Sequence, residues 1–265
     1  MHRPISIESR PTVSVVIPVK DDAELLDRCL RALHRQTQPA DEIIVVDNGS
    51  TDSSAAVATS RGAQVVRCDE PGIPTASATG YDAATGDLVL RLDADCLPAE
   101  TWVHATVDAF VRHPRVSVFT GAARFIDGPR ALRSPLAAAY LIAYTAATVP
   151  ALGHLPLFGS NLAFRRSAWR SVSAQVHRDD PELHDDLDLA FHLGERHRIR
   201  YLAHAPMGMS MRPFRDGRAF ARRFRRGFRT VTIHWPDDFP PVRWVRLTLR
   251  RILHRLGVPA TGAPR

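Results

Sequence analysis

The feature that most constrains this chain is an alternation in its first third, where short apolar runs ending in Pro, Asp or Gly turns give way to stretches of helical spacing. Val13-Ser-Val-Val-Ile17 ends at Pro18, and Leu25, Leu26, Cys29, Leu30 and Leu33 then recur three and four residues apart, the signature of one helix face. Ile43-Ile-Val-Val46 runs into Asp47-Asn-Gly-Ser-Thr-Asp52, a helical pattern follows from Asp52 to Arg61, and Val65-Val66 comes after it. A further helix is expected near Thr75 to Ala84 and a strand at Leu88-Val-Leu-Arg-Leu92. Strands without polar alternation need covering on both faces, and the intervening helices supply that cover. The sequence therefore predicts an α/β fold with a Rossmann-like, mostly parallel sheet flanked by helices.

Several classes drop out early. No G-x-G-x-x-G or G-x-x-x-x-G-K-[ST] turn follows any of these strands, which argues against dinucleotide and P-loop binding. The three cysteines, Cys29, Cys68 and Cys96, are odd in number and lack metal-ligand spacing, so they read as reduced thiols of a cytoplasmic protein. Met1 to Arg10 has no apolar segment behind a basic start, and no secretory signal is expected.

In open sheets of this kind ligands sit beyond the carboxyl ends of the strands, where Pro18 to Asp22, Asp47 and Asp93 to Asp95 all fall. One aspartate after a strand is commonly a turn or cap residue; several at one sheet edge point to a crevice. Asp93-Ala-Asp95 offers two hard oxygen ligands suited to Mg²⁺ or Mn²⁺ bridged to a diphosphate, where the ion would neutralise a departing nucleoside diphosphate. A second acidic cluster, His184-Asp185-Asp186-Leu-Asp188, opens a helix whose apolar face carries Leu187, Ala190, Phe191 and Gly194. Asp185 and Asp186 either complement the helix dipole, worth about 0.3–1 kcal/mol per charge, or supply a general base. Spacing leaves both readings open.

Five blocks in order, Val13-Ser-Val-Val-Ile-Pro-Val19, Ile43 to Asp52, Gly86 to Asp95, Gly159-Ser-Asn-Leu-Ala-Phe-Arg165 and Asp185-Asp-Leu-Asp-Leu189, resemble glycosyltransferase family 2, the inverting enzymes of GT-A fold. The resemblance covers roughly residues 12 to 212. It implies transfer of a sugar from a nucleoside diphosphate sugar to a hydroxyl acceptor. Pro18 and Asp47 would lie near the nucleoside, Asp93 toward ribose or metal, and Asp95 on the metal; Asp186 would be the base of a single-displacement, inverting transfer. Departures are Lys20-Asp21 where the family has an aromatic-Asn pair, which leaves Asp21 in the donor-side set by position, and Asp185 where it has Glu beside the base. The family's histidine some way beyond the base has no match in Met207 to Met211, and His204 reads as a surface or strand residue. The Gln-x-x-Arg-Trp signature of processive synthases is replaced by Arg222-Arg-Phe-Arg-Arg-Gly227, so single transfer is expected. A sugar-nucleotidyltransferase is the alternative enzyme, but Pro18 to Asp22 is not the glycine-rich basic loop it would need.

Charge is unevenly spread. Residues 212–256 carry 13 Arg against Asp216, Asp237 and Asp238, while residues 1–211 carry 21 Lys+Arg against 25 Asp+Glu. Phe220, Phe224 and Phe228 recur among arginines, as do Val245, Leu249, Ile252, Leu253 and Leu256, giving two basic amphipathic helices of the kind that lie on anionic bilayers. The expected division is a catalytic domain at 12–212 and a basic extension at 213–265. The extension either docks on the domain through its apolar faces or attaches the protein peripherally to the inner face of the cell membrane, toward a lipid-linked acceptor. Nucleic acid is the weaker partner, because the body is acidic and no reading motif is present. Residues 134–164 lack any Lys, Arg, Asp or Glu, and Leu136 to Val149, closed by Pro150, is expected to be a core helix or an acceptor-side wall rather than a membrane span.

Overall fold

The computed structural model describes residues 10–211 and 217–256. Strand β1 (Val13–Val19) leads to helix α1 (Ala23–His34), β2 (Glu42–Asp47) to α2 (Ser54–Ser60), and β3 (Gln64–Arg67) to α3 (Ile73–Ala83). Then follow β4 (Leu88–Arg91), the short β5 (Leu97–Pro98), α4 (Trp102–Arg112), β6 (Val118–Phe125), α5 (Arg133–Leu152), β7 (Leu162–Arg165), α6 (Arg166–Arg170), α7 (Asp185–Arg196), β8 (Ile199–Met209), α8 (Gly217–Ile233) and α9 (Pro240–Arg255). One eight-stranded sheet has the order β3-β2-β1-β4-β7-β6-β8-β5. β1 pairs in parallel with β2 and β4, β2 with β3, and β6 with β8, while β7 runs antiparallel to both its neighbours. The mostly parallel, helix-flanked expectation is met.

The core explains why the strands read as unbroken apolar runs. Val13, Val15, Ile17 and Val19 pack on one face with Leu26, Leu30, Trp102 and Phe110 from α1 and α4. Val16, Ile44, Val46 and Val89 pack on the other with Ala76, Tyr81, Leu187 and Phe191 from α3 and α7. Alternate side chains of one strand serve opposite cores, each fully buried aliphatic contributing about 1.5–3 kcal/mol.

The reading of α5 changes, and that of the tail is narrowed. α5 does not close at Pro150 but runs to Leu152, forgoing one helical hydrogen bond, and Gly153 ends it in the left-handed region at φ 74°. It is also not a core helix, because only Ala137, Thr148, Ala151 and Leu152 are buried along it. By length and composition, Arg130–Leu152 is the described helical stretch apolar enough to cross a membrane. Of the two readings left open for the tail, contact with the domain occurs in the described residues, but mainly through charge and a buried arginine rather than through the apolar faces. α8 approaches the body through charge, Arg225 and Arg226 on Glu182 and Arg229 on Asp180, while Phe224 and Phe228 are 73% and 63% exposed. α9 is held by the buried Arg243, whose Nε donates to Leu152 O at 2.7 Å and Nη2 to Phe191 O at 2.8 Å; Leu247 is its buried aliphatic. The side chain of Phe220 and residues 212–216 lie outside the described residues.

Candidate active site

Because β2, β1 and β4 are parallel neighbours, their carboxyl ends open on one edge, with Val19 opposite Asp47 and Val16 opposite Arg91. Pro18 is buried within β1, and Asp47, the last residue of β2, is buried with Oδ1 accepting from Ser50 N at 3.0 Å. Asn48 fastens this loop to the next unit, donating to Cys68 O and Glu70 O and accepting from Gly72 N. Asp21 occupies the left-handed region at φ 51°, and its Oδ1 accepts from Thr51 N at 2.7 Å and Thr51 Oγ1 at 3.1 Å. The Thr51 amide holds the Asp21 carboxyl below its usual range. Asp21 thus clamps the loop that carries Asp47, which sequence did not reveal.

The centre is built around Arg91, 3% exposed at the end of β4. Its Nη2 reaches Asp93 Oδ1 at 2.9 Å and Asp185 Oδ2 at 3.3 Å, tying the Asp-x-Asp strand end to the first turn of α7. Asp93 Oδ2 accepts from Ser160 Oγ at 2.5 Å, and Asp185 Oδ2 accepts from Ser77 Oγ at 2.9 Å. Asp186 accepts from Gly159 N on Oδ2 at 2.8 Å and meets His184 Nδ1 with Oδ1 at 2.6 Å. A Cβ on Gly159 would stand 1.5 Å from Arg91 Nη1, so the Gly-Ser-Asn turn is glycine at that point because the guanidinium occupies the space. Asn161 fixes the turn from beneath, donating to Ala122 O and Ala205 O and accepting from Trp102 Nε1.

The two neighbouring carboxylates are pushed apart. Burial raises the Asp185 carboxyl, and the charge of Asp186 adds to this although Arg91 opposes it. Burial also acts to raise Asp186, but the charge and hydrogen bond of His184, with Arg91 and Gly159 N–H, outweigh it and leave Asp186 below the usual range. His184 is raised in turn, Asp186 overcoming the burial that would lower it. Asp93, Asp95 and Cys96 present ligand atoms within 4.8 Å of one another. Burial, reinforced by the charges of Asp93 and Asp95, keeps the Cys96 thiol protonated, so the donors on offer are carboxylate oxygens, the set that Mg²⁺ or Mn²⁺ prefers. One wall is α5, where Tyr144 donates to Leu157 O at 3.2 Å and its ring lies 6.4 Å from that of His184.

The structure joins Asp93, Asp185 and Asp186 in one network, with Asp95 two residues from Asp93. It leaves His204 exposed on β8, as expected. Sequence reading missed Arg91, His184 and Ser160. The available signal was the lone charge of Arg91 in an otherwise apolar strand, since a buried charge requires partners.

A parallel half that ends in acidic turns, continued by a mixed half around β7, defines the GT-A class of sugar-transferring folds. The chain belongs to glycosyl transferase family 2, whose family model matches residues 14–172. A glycosyltransferase of Haloferax volcanii, AglE, is 34% identical over 105 residues, covering 37% of this chain and 34% of that protein. An undecaprenyl-phosphate 4-deoxy-4-formamido-L-arabinose transferase of Serratia proteamaculans is 40% identical over 100 residues, covering 34% and 30%. The chain thus spans about a third of the length of these curated relatives. In fold it is similar to a mannosyltransferase of Pyrobaculum calidifontis solved with GDP-Man and Mn²⁺, at TM-score 0.63 and 20% identity over 97% of this chain and 78% of that one.

Proposed function

We propose that this chain transfers one sugar, with inversion, from a nucleoside diphosphate sugar to a hydroxyl acceptor, and that 12–212 is its catalytic domain and 213–265 a basic extension. The observation that carries this reading is the Arg91 bridge, which brings the Asp-x-Asp strand end and the Asp185-Asp186 turn into one constellation. Pro18, Asp21 and Asp47 border the donor side, Asp21 by shaping the loop. Asp95 and Asp93 would hold a divalent cation, Mg²⁺ or Mn²⁺, which when bound neutralises charge on the diphosphate. The relative crystallised with GDP-Man and Mn²⁺ supports this.

Asp186 takes the acceptor's hydroxyl proton. Gly159 N–H engages one of its oxygens and His184 the other, the Tyr144 hydroxyl also reaches this carboxylate, and carboxylate oxygens have further acceptor sites to offer. Gly159 N–H and His184 hold the carboxylate in place, and Asp185 is anchored by Arg91 and Ser77 as a positioning residue. While His184 is protonated it draws on the Asp186 charge, so the base strengthens when His184 loses that proton. Calorimetric titration of UDP, GDP and dTDP with and without Mn²⁺ tests the reading. Cation-dependent binding of one nucleotide, lost in Asp95→Ala, is expected; no nucleotide bound under any condition would overturn it.

The exposed faces of α5, α8 and α9 support peripheral attachment to an anionic membrane on the cytoplasmic side. Ile142, Phe224, Phe228, Val245, Leu249 and Ile252 are all solvent-exposed, and the exposed Arg222, Arg223 and Arg251 supply charge complementary to lipid phosphate. A lipid-linked acceptor, like the undecaprenyl phosphate named for the Serratia relative, fits such a surface.

A further inference from the structure

Beside the active site, Asp188 sits among three histidines drawn from three segments. Asp188 and His192 share a face of α7, His177 comes from the connection before it, and His234 follows the end of α8. His177 Nδ1, His234 Nε2 and His192 Nε2 lie 2.7, 3.3 and 3.7 Å from one oxygen, Asp188 Oδ1, and the four ligand atoms are within 4.8 Å of one another.

The surrounding hydrogen bonds settle which atoms face the centre. Asp188 Oδ2 accepts from His177 N at 2.9 Å, leaving Oδ1 turned inward. His234 Nδ1 lies 2.7 Å from Thr230 O. A carbonyl only accepts, so Nδ1 carries the proton, and in the neutral ring Nε2 presents a lone pair. A backbone carbonyl on the far nitrogen is the usual way a metal-binding imidazole is held in the correct tautomer. His234 is 8% exposed, and its Nε2 and that of His192 are buried without a hydrogen-bond partner. Two unpartnered ring nitrogens aimed at a buried carboxylate call for a cation between them. Phe191 stacks on the His234 ring at 4.0 Å and closes one side.

We propose that His177, Asp188, His192 and His234 bind one Zn²⁺ as a structural site distinct from Asp93 and Asp95, clasping the end of α8 to α7. Three imidazoles and a carboxylate suit zinc, whereas Mg²⁺ and Ca²⁺ prefer all-oxygen sets. Four protein ligands and no open position mark structural rather than catalytic zinc. Metal–ligand lengths of about 2.0–2.1 Å place tetrahedral ligands about 3.3 Å apart, so the cluster closes by side-chain movements on the order of 1 Å. The inference does not depend on the transferase reading.

The test uses the full chain with any affinity tag removed. Elemental analysis after dialysis is expected to give one zinc per chain in the wild type and equally in Asp95→Ala. His177→Ala and His234→Ala should each weaken zinc binding by at least about 10–100-fold, the loss seen when even an outer partner is removed. If His234→Ala fails to fold, wild-type protein stripped by chelator and refilled with Co²⁺ keeps the question open to a direct answer, since a tetrahedral site gives intense visible ligand-field bands. Zinc-free protein that neither binds added Zn²⁺ nor gains thermal stability from it, or zinc retained undiminished in the two histidine variants, would overturn the proposal and leave a proton-bridged cluster.

Discussion

Gly159→Ala reads the Arg91 bridge directly. Gly159 is not among the glycines with positive φ, so an alanine backbone fits and the effect is steric. The new Cβ would meet Arg91 Nη1 at 1.5 Å, Cζ at 2.7 Å and Asp186 Oδ2 at 3.2 Å. Restoring a carbon–nitrogen contact of about 3.5 Å moves the guanidinium by about 2 Å. That is enough to break its contacts to Asp93 at 2.9 Å and Asp185 at 3.3 Å. Overpacking costs about 1–3 kcal/mol and stripping a buried pair of its partner about 3–5, so about 3 kcal/mol is expected for Gly159→Ala and about 4 for Arg91→Met. Methionine ends short of the Nη1 position, so Gly159→Ala in the Arg91→Met background should cost under about 1 kcal/mol, a coupling of about 2. Urea unfolding of the four proteins measures this, and transfer by Gly159→Ala should drop about 100-fold, as misplacement by an ångström does. Additive stabilities, or a Gly159→Ala protein as stable as wild type, would refute the argument.

Asp186→Asn should lower kcat by about 10²–10⁴ while nucleotide affinity, read by calorimetry, stays unchanged. Because His184 titrates above its ordinary 6.5, the acid limb of kcat/KM should lie above pH 6.5 and move down in His184→Gln. His154 donates from Nδ1 to Leu155 O and accepts from Arg243, and burial pushes it down to about 4 from 6.5. A depressed folded value means stability present above pH 6.5 and lost as pH falls toward 4; the ceiling is about 3.4 kcal/mol, and partial solvent access brings the expected loss to about 2, measurable by unfolding across that range. Phe224→Asp with Phe228→Asp should abolish cosedimentation with anionic liposomes at low salt, and failure of the wild type to cosediment would sink the membrane reading.

Much was legible from local pattern. Unbroken valine and isoleucine runs, helices with one apolar face and acidic turns after the strands specified the parallel half and the edge where the site forms, because burial on two faces dictates which residues a strand can carry. Asp47, Asp93 and Asp95 were legible as candidates for the same reason, standing where a strand must stop, while Asp185 and Asp186 were marked by their place at a helix start. What sequence could not give were relations between distant segments. Asp21 as a clamp on Thr51, Arg91 between Asp93 and Asp185, and Asp188 among His177, His192 and His234 each join residues far apart in the chain. The orientation of the tail was likewise undecided, since a basic amphipathic helix has two faces, and only the positions of Asp180 and Glu182 draw Arg225, Arg226 and Arg229 to the body and leave Phe224 and Phe228 exposed. Periodicity fixes which side chains share a face; which face is buried depends on the surface it meets, and that surface exists only once the chain has folded.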